Sequence, residues 1–218
     1  FKTKIYRSVF LLPLYKNIDN QMSKADKTRE FIIEKAAPIF NTKGYAGTSL
    51  TDVMNATGLS KGSIYGNFEN KDEIALAVYE HNIKLVGVEL YAAMDSKKTA
   101  AHKILAFTEY YRTNWKRIFE KGGCPILNAA IEADDNLPFL KKSVQDSIKK
   151  LNRKISKTIE EGVSNGEFHK NSNAVEYAYT FLILLEGGMM LSKIENNPKH
   201  LFAGLDRIIK ILNAELKK

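Results

Sequence analysis

The chain is short of most of the residues that would mark a secreted scaffold or a catalyst. Among its 218 residues there is one cysteine, Cys124, so no disulfide can form within it, and a reducing, cytoplasmic setting is expected. There are five prolines, no stretch resembling a flexible linker, and no internal repeat or low-complexity run. The four histidines, His81, His102, His169 and His200, are scattered without the spacing a metal site needs, so no metal and no cofactor is expected. His-Glu-x-x-His, Gly-x-Ser-x-Gly and phosphate-loop patterns are all missing, which argues against an enzyme. The most apolar stretch, Tyr177–Ser192, is interrupted by Glu186 and a Gly-Gly pair; it reads as a buried helix rather than a membrane span.

What is present is an ordinary apolar fraction of 44%, enough to build a core, and a formal charge of +8 with a pI near 9.3. The charge favours an anionic partner, although on its own the signal is weak. Part of it sits in residues 1–21, where Lys2, Lys4, Arg7 and Lys16 outweigh Asp19. The run Val9-Phe10-Leu11-Leu12-Pro13-Leu14 follows basic residues as a secretory signal would. It is short, however, Pro13 breaks it, and no small-x-small site follows. Residues 1–21 are therefore expected to be an extension outside the fold.

Beyond Met22 the pattern is helical throughout. Ser23 with Asp26 forms a capping-box signature before a helix over Lys24–Thr42, with Phe31, Ile32, Ala36, Ile39 and Phe40 as its apolar stripe. Gly44 is expected to end it as a left-handed cap. Ser49 and Asp52 repeat the capping signature before a short helix over Leu50–Thr57. Gly58 permits a sharp turn, Leu59 plugs it, and Ser60 caps a third helix running to about Phe68. Asn70 opens a long helix to about Met94. Further helices are predicted over Thr99–Lys121, Pro125–Ala133, Pro138–Val163, Asn173–Ile194 and Pro198–Leu216. No alternating segment competes as a strand. The fold class is all-α.

Short helix, glycine-bearing turn, short helix is the pattern of a helix-turn-helix. Leu50, Val53, Met54, Leu59, Ile64 and Phe68 would lock its two helices at a fixed angle. The outer face of the second is polar, and Gly62, Ser63 and Gly66 let its backbone approach a major groove closely. The chain here resembles the tetracycline-repressor-like (TetR) family of bacterial regulators. The resemblance is carried by Ile39-Phe40, Gly44-Tyr45, Thr48-Ser49-Leu50, Gly58-Leu59-Ser60-Lys61-Gly62-Ser63-Ile64-Tyr65, Asn67-Phe68 and Asn70-Lys71-Asp72-Glu73. It implies an N-terminal three-helix DNA-binding domain over 22–71 and a larger helical ligand-sensing and dimerisation domain over 72–218. It implies that Thr48, Tyr65 and Lys71 contact phosphates, that Lys61, Gly62, Ser63 and Asn67 face bases, and that Ser49 belongs to the same surface. Gly66 departs from the family, which often has His or Tyr there. The partners implied are duplex DNA with an inverted-repeat operator, a second copy of the chain, and a small-molecule effector that releases a repressor from DNA.

The C-terminal part carries two stripes and a cysteine. Tyr177, Phe181, Leu184, Leu185 and Gly188 share a face of one helix, and Leu201, Leu205, Ile208 and Leu212 share a face of the last. In the family the last two helices pair with those of a second subunit, so Leu184, Gly188, Leu205, Ile208 and Leu212 are expected at the dimer interface; an intramolecular core fits the same pattern. Phe107, Tyr111, Trp115 and Phe119, with Tyr177 and Phe181, would suit an aromatic pocket, or equally an ordinary core. Cys124 precedes Pro125 and is expected at a helix N-terminus, joining the pocket. There it is either an acidified, reactive thiol or a buried packing residue. Two other classes remain beside the regulator: a helical adaptor for other proteins and a cysteine-dependent enzyme.

Overall fold

The computed structural model describes residues 23–135 and 137–218. The expected extension over 1–21 and the start at Met22 lie outside the described residues. The chain order is α1 (Lys24–Lys43), α2 (Leu50–Thr57), α3 (Lys61–Tyr65), α4 (Lys71–Asp95), α5 (Ala100–Glu120), α6 (Pro125–Asp135), α7 (Pro138–Ser164), α8 (Ala174–Ile194) and α9 (Lys199–Ile211). A π-helical turn over Leu212–Leu216 closes it. Among the described residues the one β feature is an isolated bridge between Phe168 and Lys217. The all-α expectation is met, and most helix ends fall within a residue or two of those predicted.

The caps explain that agreement. In α1 and α2 the hydroxyls of Ser23 and Ser49 accept from the backbone N–H groups of Asp26 and Asp52, and the two carboxylates reach back to the cap N–H groups. Asn70, Thr99 and Asn173 cap α4, α5 and α8 by side-chain acceptance alone, from the N–H groups of Glu73, His102 and Glu176. Two local expectations change. The stripe that α1 buries is Ile32, Ile33, Ala36, Ala37 and Phe40, whereas Phe31 is exposed. Gly44 does take positive φ, 86°, but with an extended ψ of 160° rather than the left-handed helical value.

Two apolar cores hold the molecule. The first joins α1, α2 and α3 to the N-terminal half of α4, through Phe40, Tyr45, Val53, Ile64, Phe68, Ile74 and Val78. It is completed by Ala129 and Ala133 of α6 and Leu140 and Val144 of α7. The second gathers the C-terminal half of α4 with α5, α7, α8, α9 and the closing turn. The expected domain boundary at residue 71 therefore runs through one continuous core. The helix-turn-helix packs directly on α1 and shares this core with α4, α6 and α7.

The α8–α9 packing is the tightest in the second core. A methyl group on Gly188 would meet the backbone of His200 and Leu201 at 2.9–3.0 Å, so these helices touch through their backbones there. Leu205, Ile208 and Leu212 are wholly buried in this same core and Leu184 packs against it. The expectation that Gly188, Leu205, Ile208 and Leu212 form the dimer interface is corrected accordingly, while Leu184 stays partly exposed. Buried groups already covered by their own chain offer nothing to a second subunit. The apolar surface that α8 leaves uncovered lies opposite, at Val175, Tyr179, Ile183, Met190, Leu191 and Ile194, the last 85% exposed. The expected buried helix is thus buried on one face only. Gly188→Ala is expected to lower unfolding free energy by about 1–3 kcal/mol, because forcing atoms into a close-packed contact outweighs the helix-propensity gain. Denaturant unfolding measures this; a variant as stable as the parent would contradict the close approach.

Candidate DNA-binding surface and effector cavity

The helix-turn-helix is built from a few polar bonds over the first core. Gly58, at φ 70° and ψ 9°, takes the left-handed conformation that reverses the chain after α2, and its N–H bonds to the Met54 carbonyl at 2.8 Å. The Thr57 hydroxyl donates to the Val53 carbonyl and accepts from the Leu59 N–H, tying the turn to the helix before it. Ser60 then caps α3 by accepting from the Ser63 N–H. As a regular helix α3 ends at Tyr65, short of the expected Phe68. Further turns, with the N–H groups of Asn67 and Phe68 both on the Ile64 carbonyl, carry the chain to α4.

Arg29 of α1 fixes the far end of this unit. Its guanidinium donates to the Asn67 carbonyl, pairs with Glu73 at 2.6 Å, and lies 4.0 Å from the centre of the Phe68 ring. Nothing in the local sequence singles out Arg29, because its partners lie about 40 residues away.

The expected DNA-contacting residues divide into two groups. Lys61, Gly62, Ser63 and Tyr65 are exposed on or beside α3, and Ser49 is exposed at the start of α2. Tyr65 is a surface residue, 38% exposed, with the Lys61 ammonium 5.9 Å from its ring centre. Thr48 is different: its side chain is fully buried and its hydroxyl donates to the Gly44 carbonyl at 2.7 Å. The expected phosphate contact from Thr48 is corrected, since that hydroxyl holds the loop before α2. Lys71 is half-buried, and one of its donors is spent on the Ala46 carbonyl at 3.1 Å. The Asn67 amide donates to the Ser63 carbonyl at 2.8 Å, so that donor serves α3 itself.

A cavity of about 540 Å³ opens between α4 and α7 and runs down to α5, α6 and α8. Its rim carries the exposed Glu80 and Lys84 of α4 and Asp146 and Lys150 of α7; its depth is lined by Tyr79, Leu90, Tyr91, Tyr111, Cys124 and Glu186. Of the expected pocket residues only Tyr111 and Cys124 reach it. Phe107 and Phe181 are buried side chains of the second core. Trp115 and Phe119 stack edge-to-face at 5.6 Å beside a separate hollow of about 370 Å³ near Lys193. Tyr177 directs its hydroxyl to Glu215, 3.4 Å away. The expected single aromatic pocket is thus corrected to a different cavity.

Glu186 was missed as a site residue, although a carboxylate in an otherwise apolar stretch was its signal. The Cys124 thiol donates to Glu186 Oε1 at 3.1 Å, while Oε2 is buried and has no hydrogen-bond partner among the described residues. Burial pushes the Glu186 carboxyl up to about 7, against the opposing hydrogen bond from Cys124. Burial, and next the Glu186 charge, also push the Cys124 thiol well up. Backbone N–H groups of Leu127 and Ile126 at the start of α6 do act in the acidifying direction, but burial wins. Of the two readings of Cys124, the direction of this shift favours the packing residue over the acidified thiol.

From the same corner, α6 reaches the DNA-binding unit. The Asn128 amide donates to the Asn41 carbonyl and side-chain oxygens, each at 3.0 Å, and to the Gly122 carbonyl. Asn41 in turn donates to Lys121 and Gly123. Two turns from the cavity, Glu132 accepts from the backbone N–H groups of Tyr45 and Ala46 at 2.8 and 2.7 Å.

Together these features define a helix-turn-helix protein with a helical body holding a deep cavity. Residues 32–78 match the family model "Bacterial regulatory proteins, tetR family", and residues 100–208 match "Tetracyclin repressor-like, C-terminal domain". A solved TetR-family regulator from Cytophaga hutchinsonii is 36% identical and superimposes with a TM-score of 0.86 over 90% of this chain and 98% of that one. One from Chloroflexus aurantiacus is 33% identical, with a TM-score of 0.84 over 90% and 99%. An HTH-type transcriptional regulator encoded in the lacX 3' region of Lactococcus lactis is 27% identical over 82% of this chain and 90% of its own length. The chain belongs to the TetR family of transcriptional regulators.

The Glu186 carboxyl makes stability depend on pH with a definite sign. Its folded value lies above its usual 4.5, so the folded state holds the extra proton, and stability falls as pH rises from about 4.5 through about 7. Glu186→Gln removes that cost. The variant is expected to be more stable than the parent by about 3 kcal/mol at pH 8, shrinking to under about 1 kcal/mol at pH 5. Urea unfolding of both proteins at one concentration checks this; a difference that does not change with pH would contradict it.

Proposed function

We propose that the protein is a homodimeric repressor that binds an inverted-repeat operator and is released from it by a small molecule occupying the cavity. The observation that supports this best is the pairing of an exposed, polar α3 with a cavity in the helical body, connected through α4 and α6. On this reading Lys61, Gly62 and Ser63 meet base edges, while Tyr65 and the N-terminus of α2 at Ser49 meet phosphates. Asn67 and Lys71 serve chiefly to hold α3 and its flanking loop in place, with the spare donors of Lys71 free for a phosphate.

The second copy would dock on the uncovered face of α8, along Val175, Tyr179, Ile183, Met190, Leu191 and Ile194. That places two α3 helices on one molecule, as an inverted repeat demands. Such a protein works in the cytoplasm, beside the DNA it controls.

Footprinting on the DNA flanking the protein's own coding region tests this. The expected result is a protected inverted repeat whose half-site centres lie about one helical turn, or a multiple of it, apart. Ile183→Glu should sediment as a monomer and lose that protection. Protection without two-fold symmetry, or a symmetric footprint that survives in a monomeric variant, would overturn the proposal.

A further inference from the structure

The cavity has an electrostatic defect that its own residues do not repair. Its walls are apolar and aromatic, from Leu90, Tyr79, Tyr91 and Tyr111, yet Glu186 places a carboxyl group at its inner end. One oxygen takes the Cys124 thiol; the other, buried, takes nothing among the described residues. A carboxylate left in this way is costly, because it has given up water and received one weak donor in return. A ligand that brings a cation to Oε2 removes that cost, and aromatic faces around it add cation–π attraction. A neutral ligand of the same shape leaves the carboxyl protonated and unpaired, and an anionic one meets a like charge.

The rim supports the same polarity. Lys84 and Lys150 stand there with Glu80 and Asp146, so opposite charges alternate at the mouth and no excess of positive charge repels an incoming cation. The volume, about 540 Å³, lies in the range of cavities that enclose drug-sized molecules.

We propose that this cavity takes an amphiphilic cation, a protonated amine seated against the Glu186 carboxylate and carrying an aromatic or apolar body that lies among Tyr79, Tyr91, Tyr111 and Leu90. Cys124 is a positioning residue in this arrangement: its protonated thiol holds one oxygen so that the other faces the ligand. The proposal rests on reading the cavity as the effector site, and it names the chemistry of that effector.

The test uses three probes of nearly one shape: 9-(aminomethyl)anthracene, 9-anthracenemethanol and 9-anthracenecarboxylate. Each is titrated calorimetrically into the full chain without DNA at pH 8, above the value of about 7 at which Glu186 ionises. The amine is expected to bind at least tenfold more tightly than the alcohol, and the carboxylate more weakly than both. Glu186→Gln should lower amine affinity tenfold or more and leave alcohol affinity within threefold. The comparison of probes on the wild-type chain needs no variant, so it decides the matter even if Glu186→Gln fails to fold. Equal binding of amine and alcohol, tighter binding of the carboxylate, no binding of any probe, or an amine preference that persists in folded Glu186→Gln would overturn the proposal. Operator release is measured separately by fluorescence anisotropy. A Glu186-dependent amine preference without release upholds the cation site and instead refutes release by ligand.

Discussion

The Glu132 carboxylate of α6 fixes the loop that launches the helix-turn-helix to the helical body. It accepts from two successive backbone N–H groups, Tyr45 and Ala46, at 2.8 and 2.7 Å, in the loop that launches α2. A charged acceptor on paired N–H donors is among the stronger bonds a protein makes, and it fixes direction as well as distance. The Ala46 peptide is held from its other side by Lys71, and the Tyr45 ring is buried against Phe40 and Tyr79. The entry to the helix-turn-helix is therefore set by where α6 lies. The N-terminus of α6, in turn, is set by Cys124 on Glu186 at the cavity floor.

The placement of the two cores gives this connection its leverage. The first core includes Ala129 and Ala133 of α6, and the second has Cys124 and Ile126 packed against it. A shift of α6 along its axis would have to disturb both, while α4 runs continuously from Asn70 at the DNA-binding unit to the cavity wall at Leu90 and Tyr91. Close-packed cores respond to such pressure by moving whole elements rather than by local deformation. This is the route by which the proposed ligand, drawing on Glu186 and Tyr111, would alter the separation of two α3 helices without touching either.

The DNA-binding unit was almost fully legible in the sequence because its signals are local. Ser49 with Asp52, Gly58, Ser60 and Asn70 each act on backbone groups within four residues, and the structure places all of them as expected. Thr48 misled because a hydroxyl before a helix looks the same whether it faces phosphate or the carbonyl of Gly44. The stripes of α8 misled for a different reason. α8 is apolar on nearly every side, so its periodicity cannot tell which stripe, Gly188 and Leu185 or Ile183 and Ile194, its own chain will cover. The cavity was the least legible feature, since Tyr79, Tyr91, Tyr111 and Glu186 come together only through packing of distant helices. Cys124 was placed correctly at the start of α6. Its acidity depended on burial, which the sequence does not display.

The claim that binding in the cavity reaches the DNA through α6 is tested most directly by the coupling across Glu132. Operator dissociation constants are measured for the wild type and Glu132→Gln, each with and without a saturating cavity ligand that releases the wild type. Coupling of this kind amounts to about 1–3 kcal/mol, or about 5–150-fold in affinity. The account predicts that Glu132→Gln still folds and binds operator, but that the ligand's effect on its affinity falls to less than half of the wild-type free energy. An undiminished ligand effect in Glu132→Gln would contradict it.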